Sequence, residues 1–220
     1  MRLVMKLGLL LLAFSLWGFA PLAAQEKIKE KKNKMGATYY NHSGGTYTLK
    51  EKSSGYNDSA SDSMVGTTFF YERIFLSRFS IGVAYSSFLE KSLDMYVGTN
   101  TINVIEQTSY TAVDFKAFFR EHARPGWKPF LGVGFGTHTV ASAMTITADS
   151  ATTTSTDATA ASIPVTMLNW GFDYTMDATG IRMEMNQVTG TRRDLESSDT
   201  YSANYIVDGT SVGIAVYSHF

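Results

Sequence analysis

The 220-residue chain contains no cysteine, which excludes disulfides, thiolate metal ligands, thiol nucleophiles and a lipidated N-terminal cysteine. Proline is scarce, at 4 residues, and charged residues make up only 18%. A formal net charge of -1 leaves no concentrated basic surface, so nucleic acid is not the expected partner. Long apolar runs are missing too, since beyond the N-terminus no segment reaches the roughly 18 uninterrupted apolar residues of a spanning helix. Aromatic rings are plentiful instead: 14 Phe, 12 Tyr and 3 Trp exclude disorder as the main state. The length bounds the protein to one domain or two small ones.

Residues 1–24 read as a secretory signal peptide. Arg2 and Lys6 form the positive n-region, Leu7 to Ala20 the apolar stretch, and Pro21-Leu22-Ala23-Ala24 a small-residue exit. The stretch is shorter than the roughly 20 residues of a membrane anchor, so export with cleavage is the expectation. Residues 25–33 then form a basic tail, and 34–220 the folded body. Removing Arg2 and Lys6 leaves 17 basic against 20 acidic residues. Five of those basic residues (Lys27, Lys29, Lys31, Lys32, Lys34) crowd one short stretch, and a solvated tail is its simplest reading.

What recurs in the body is strict alternation, which on a strand sends neighbouring side chains to opposite faces. Phe79, Ile81, Val83 and Tyr85 alternate with Ser80, Gly82, Ala84 and Ser86. The last segment sets Val212, Ile214, Val216, Ser218 and Phe220 against Gly213, Ala215, Tyr217 and His219. The same test predicts eight strands, at about 34–43, 63–75, 79–96, 102–120, 127–146, 162–176, 180–191 and 203–220. Each can supply the roughly 9 to 11 residues of a tilted transmembrane strand. The third and fourth are long enough for their hairpin to project beyond a bilayer near Gly98-Thr99-Asn100.

Connections after strands two, four and six are short: Leu76-Ser77-Arg78, Glu121 to Gly126, and Asp177-Ala178-Thr179. Those after strands one, five and seven (roughly 44–62, 147–161 and 192–202) are longer and polar, with Thr152 to Asp157 of low complexity and expected to be a mobile loop. Short turns on one side and long loops on the other predict an all-β, eight-stranded antiparallel up-and-down transmembrane β-barrel with both termini in the periplasm. A soluble barrel of lipocalin type is the alternative. It requires charges on the second face, which is instead mostly Gly, Ala, Ser and Thr and suits the crowded interior of a small barrel.

That assignment turns Glu72, Asp114, Lys116, Asp173, Arg182 and Glu184 inward, together with Asn169 and Asn186. Desolvating isolated charges costs several kcal/mol each, so Lys116 and Arg182 are expected to neutralise neighbouring carboxylates in a polar plug. Filling the lumen is its simplest role; gating an ion path is the functional alternative. Phe75, Phe79, Phe119, Trp127, Tyr174 and Phe220 fall near the periplasmic strand ends, as an interfacial aromatic belt requires.

The pattern resembles the small eight-stranded outer-membrane barrels that include the OmpA-type transmembrane domain, OmpX and OmpW. Lys128 to Gly136 is similar to a strand-five opening in these barrels. The terminal Val212 to Phe220 resembles the signal by which the barrel-assembly machinery recognises its clients, although Ser218 departs from it. The resemblance implies a Gram-negative outer-membrane location. Outer-membrane lipids, lipopolysaccharide and the assembly machinery, engaged through Phe220, are the partners it implies. It does not imply one activity.

Tests for chemistry leave no catalytic residue, cofactor or metal to name. Gly132-Val133-Gly134-Phe135-Gly136 lies within an alternating strand and lacks the Lys-Ser/Thr of a phosphate loop. A lipid-facing Ser-His pair is not available, because alternation turns His42, His138 and His219 inward and leaves His122 in a turn. His42 and His138 share a metal only if they meet across the lumen; packing is the simpler expectation. Asn57, Asp58 and Asp62 lack calcium-loop spacing, and Arg192-Arg193 could pair with lipopolysaccharide phosphates. The expected function is therefore a monomeric, non-enzymatic outer-membrane barrel with a structural or surface-interaction role. A channel or carrier for small or apolar solutes is second, and a lipid-modifying enzyme third.

Overall fold

The computed structural model describes residues 32–98, 100–148, 152–176, 178–197 and 201–220. The signal peptide and most of the basic tail lie outside the described residues. Ten strands form: β1 Asn33–Glu51, β2 Asn57–Phe75, β3 Phe79–Phe88, β4 Lys91–Val97, β5 Asn100–Phe118, β6 Gly126–Ala148, β7 Thr152–Thr175, β8 Thr179–Gly190, β9 Arg193–Ser197 and β10 Tyr201–His219. They make a closed ring, β1-β2-β3-β5-β6-β7-β8-β10, sealed by antiparallel pairing of β10 with β1. The closed eight-strand antiparallel ring matches the expected fold.

The walls formed by β1, β2 and β7 are taller than expected. β1, β2, β5 and β10 have 19 residues each, and β6 and β7 have 23 and 24, about twice what a tilted spanning strand needs. Most of the anticipated loops 44–62 and 147–161 are therefore strand, as is Thr152 to Asp157, and 192–202 contains β9. Their Ser, Thr and Asn content resembles a loop, but threonine is a good strand former. In β1 a bulge at Gly44 and Gly45, both at positive φ, also breaks the alternation. Below it Thr38, Tyr40 and His42 are buried; above it the phase shifts and Tyr47 and Leu49 are. The expected third strand is likewise two, because β3 stops at Phe88 and β4 continues on β5 alone.

Short turns gather both termini at one end, where Asn33 and Phe220 exchange backbone hydrogen bonds of 3.1 and 3.0 Å. The β2–β3 turn holds Leu76 and Ser77 at φ of 50° and 59° without glycine, while Gly126 takes 99° in the β5–β6 turn. At this turn end the outer face forms an apolar belt, with Phe69, Val83, Phe115, Phe135, Ile214 and Val216 exposed on it. At the loop end the outer face becomes polar and a buried apolar cluster, including Leu49, Met95, Ile102, Val140, Ile163 and Val207, fills the interior. β5 shows the exchange without any slip: the inward set passes from Ile102 and Val104 to Asp114 and Lys116, and the outward set from Thr101 and Asn103 to Val113 and Phe115.

Candidate functional site: the charged lumen

Register decides which charges meet. Asp173 on β7 stands opposite Arg182 on β8 and opposite Lys128 on β6, while Glu72 on β2 stands opposite Lys34 on β1. All point inward at the level of the belt. Arg182 is the hub: Nε donates to Asp173 Oδ1 at 2.6 Å, Nη2 to Asp173 Oδ2 at 3.2 Å, and Nη1 and Nη2 to Glu72 at 2.6 and 2.7 Å. The planar fork of guanidinium donors suits this double bidentate clamp, which a lysine could not make. Its Cζ also lies 5.0 and 5.2 Å from the ring centres of Phe70 and Phe130.

Lys116 donates to Glu72 at 2.6 Å and lies 3.7 Å from Asp114, which accepts from Asn169 Nδ2 at 3.3 Å. Lys34 is paired with Asp173, and its Nζ is 3.9 Å from Glu72. Glu184 is more weakly held, with Oε2 4.0 Å from Arg182. Glu184 Oε2, Asn169 Oδ1, Asn186 Oδ1 and Lys128 Nζ are buried without a hydrogen-bond partner. Glycine makes the space for this cluster. A Cβ at Gly132 would come within 2.8 Å of Lys116 Cγ, and one at Gly134 would collide with Asp114 Oδ1.

Of the residues expected from the sequence, the six charged ones meet around Arg182 and Lys116, Asn169 joins through Asp114, Asn186 lines the adjoining cavity, and two further cations complete the layer. In the sequence Lys34 reads as one of the tail lysines, and Lys128 as part of a glycine-rich strand opening. Both are inward by parity and buried, at 0% and 1% exposure, so the layer around Arg182 sets four cations (Lys34, Lys116, Lys128, Arg182) against four anions (Glu72, Asp114, Asp173, Glu184), with Glu106 a fifth buried carboxylate nearer the loop end. The parity of Lys34 with Thr38 and Tyr40, and of Lys128 with Phe130, was the signal that could have revealed them.

Below the charges lies a floor. Phe118 and Phe130 are buried with ring centres 5.4 Å apart, and His122 of the β5–β6 turn folds under them at 4.0 Å from Phe118. The backbone N–H of His122 donates to Ser77 O at 2.8 Å, tying this turn to its neighbour. Neither ring nitrogen has a partner. Burial, with the charge of Lys34 beside it, pushes the imidazole down to about 2.

The aromatic residues expected at the interface stand at the turn end. Phe75, Phe79, Phe119, Trp127 and Phe220 are exposed outward, and Tyr174 is half-buried against Trp127 at 4.9 Å between ring centres. Tyr39, Phe69 and Tyr85 add outward rings toward the other edge of the belt. His42, His138, His219 and His122 are all buried. Arg192 and Arg193 are exposed at the loop end, and Asp58 there accepts from the Tyr96 N–H at 2.9 Å.

No family model matches the chain, and no curated protein resembles it in sequence. Solved structures do resemble it in fold. The outer membrane protein OprG from Pseudomonas aeruginosa superposes with a TM-score of 0.61 at 12% identity, covering 88% of this chain and 99% of that one. The outer membrane protease OmpT from Escherichia coli gives 0.48 at 9% identity, over 90% and 99% of the two chains. The attachment invasion locus protein Ail of Yersinia pestis gives 0.43 at 7%, over 86% and 99%. With its sealed eight-strand ring, apolar belt and likeness to OprG, the chain has the fold of the small outer-membrane β-barrels.

Proposed function

We propose that this chain is an integral protein of a Gram-negative outer membrane, exported by a cleaved signal peptide over residues 1–24. In this reading it serves a structural or surface-interaction role, without catalysis or solute conduction. The observation that carries it is closure of the lumen at two levels. The charged layer around Arg182 blocks the belt and the apolar cluster around Ile102 blocks the loop end. A pore needs a continuous wet path, and an ion crossing here would have to displace carboxylates already held by guanidinium and ammonium groups. The parts left to act are the outer surfaces. The belt and its aromatic girdle hold lipid, the polar loop end faces lipopolysaccharide and the medium, and the strand ending in Phe220 serves as the handle for the barrel-assembly machinery.

Planar bilayer recording tests this. The protein, inserted as a folded monomer, is expected to give no reproducible channels. Steady conductance that shifts when Lys116 or Arg182 is neutralised would replace the structural reading with a gated channel. The apolar interior of the loop end favours one second reading, carriage of apolar solutes. Under that reading a fluorescent fatty acid would gain intensity on binding and lose the gain in Ile102→Asp.

A further inference from the structure

Between the charged layer and the apolar cluster lies a cavity of about 40 Å³, lined by side chains from opposite walls. His42 comes from β1 and His138 from β6, strands that face each other across the ring. Both line the cavity, and both rings pack on Phe88, with centroids 6.1 and 6.3 Å away. They are 4% and 3% exposed, and Nε2 of each has no hydrogen-bond partner. Two buried imidazole nitrogens without partners are costly, and here both rings line one cavity. A third donor is a thioether: Met167 lines the same cavity, its Sδ accepting from the Tyr110 hydroxyl at 2.7 Å and keeping a second lone pair.

The donor types select the ligand. Among the described residues no three His, Asp or Glu side chains are grouped to hold a metal ion, so the harder and borderline cations, which require several such ligands, lack a site. Two neutral imidazoles and a thioether form a soft, low-coordinate set, the kind that favours monovalent copper. Asp114, also on the cavity wall, supplies negative charge nearby. We propose that this mid-lumen cavity is a copper(I) site formed by His42, His138 and Met167. Because both ends of the lumen are closed, the ion enters while the barrel folds, and metal binding is coupled to folding.

The test uses the full mature chain, refolded into detergent micelles with copper(I) under ascorbate and then challenged with bicinchoninate. The wild-type protein is expected to keep one copper per chain, to keep no zinc under the same treatment, and to show copper–sulfur scattering in X-ray absorption. His42→Asn and His138→Asn should each lower retention by at least the roughly tenfold that losing even an outer-shell partner costs. Met167→Leu, which conserves volume, should remove the sulfur signal. Folding of each variant is checked by heat-dependent electrophoretic mobility, and the single substitutions decide the matter if His42→Asn/His138→Asn does not fold. A wild-type chain that surrenders all its copper to the chelator overturns the site, as does retention unchanged in the folded single variants.

Discussion

The two halves of the barrel are built from the same strands and dressed in opposite ways. At the loop end β5 turns Ile102 and Val104 inward and Thr101 and Asn103 outward, as a water-soluble barrel does; at the belt it turns Asp114 and Lys116 inward and Val113 and Phe115 outward. Both halves share one hydrogen-bonded backbone, so their difference lies entirely in which face meets which medium. The loop-end half is held by burial of its own apolar interior. The belt half gains its apolar contacts from lipid and must fill its core with polar groups that neutralise one another. Stability there rests on completeness of pairing, and in the loop end on volume.

This contrast orders the consequences of substitution. Arg182→Met should be the most damaging, because it leaves Glu72 and Asp173 short of their hub. Removing one partner of a buried charge pair costs about 3–5 kcal/mol, measurable as a lowered urea midpoint in lipid vesicles. Adding Glu72→Leu should return much of that loss, since Lys34 with Asp173 and Lys116 with Asp114 then remain as balanced pairs. A double variant no better than Arg182→Met would break the distinction between pairing and volume.

In the other half the effective blow is a lost volume. Ile102 is fully buried, so Ile102→Ala should cost about 2–5 kcal/mol through lost transfer energy and the cavity left behind. Hydrogen exchange should localise the loss to β4, β5 and β9 and leave the belt protected. Equal loosening of both halves would show that they are one cooperative unit.

The floor gives a smaller, pH-dependent effect. His122 is held neutral in the folded chain, its proton affinity depressed from an ordinary value of 6.5 to about 2. The unfolded chain therefore binds the extra proton first as pH falls below 6.5. Stability is full above that value and declines by about 1.4 kcal/mol per pH unit below it. Between pH 7 and pH 5 the floor turn should lose about 2 kcal/mol of stability, seen as greater acrylamide quenching of the neighbouring Trp127. His122→Phe should flatten that difference; an unchanged pH profile in the variant would assign the effect to other groups. Smallest of all, Thr101→Ala on the wet outer face should shift stability by no more than about 0.5 kcal/mol.

The belt half was legible in the sequence because lipid demands uninterrupted apolar alternation, and Phe79 to Tyr85 or Val212 to Val216 carry that pattern without exception. The inward set from Glu72 to Asn186 followed from parity alone. The loop-end half was not legible as strand, because an outer face of Ser, Thr and Asn resembles a loop and the bulge at Gly44–Gly45 shifts the inward phase from His42 to Tyr47. Lys34 was hidden by its neighbours: a run of tail lysines concealed one whose parity places it in the lumen. Which carboxylate each cation clamps was set by register across strands distant in sequence, such as Arg182 with Glu72, and local pattern carries no record of that.

The absence of cysteine permits one direct measurement of the two-media account, spin labelling at single introduced cysteines in the barrel reconstituted into vesicles. Phe115→Cys should collide with oxygen dissolved in lipid, Asn103→Cys with an aqueous nickel reagent, and the inward Ile102→Cys with neither. Asp114→Cys, beside the charged layer, should likewise be shielded from the aqueous reagent. Lipid exposure at position 103, or ready access of the nickel reagent to position 114, would contradict a closed barrel that changes medium halfway along its strands.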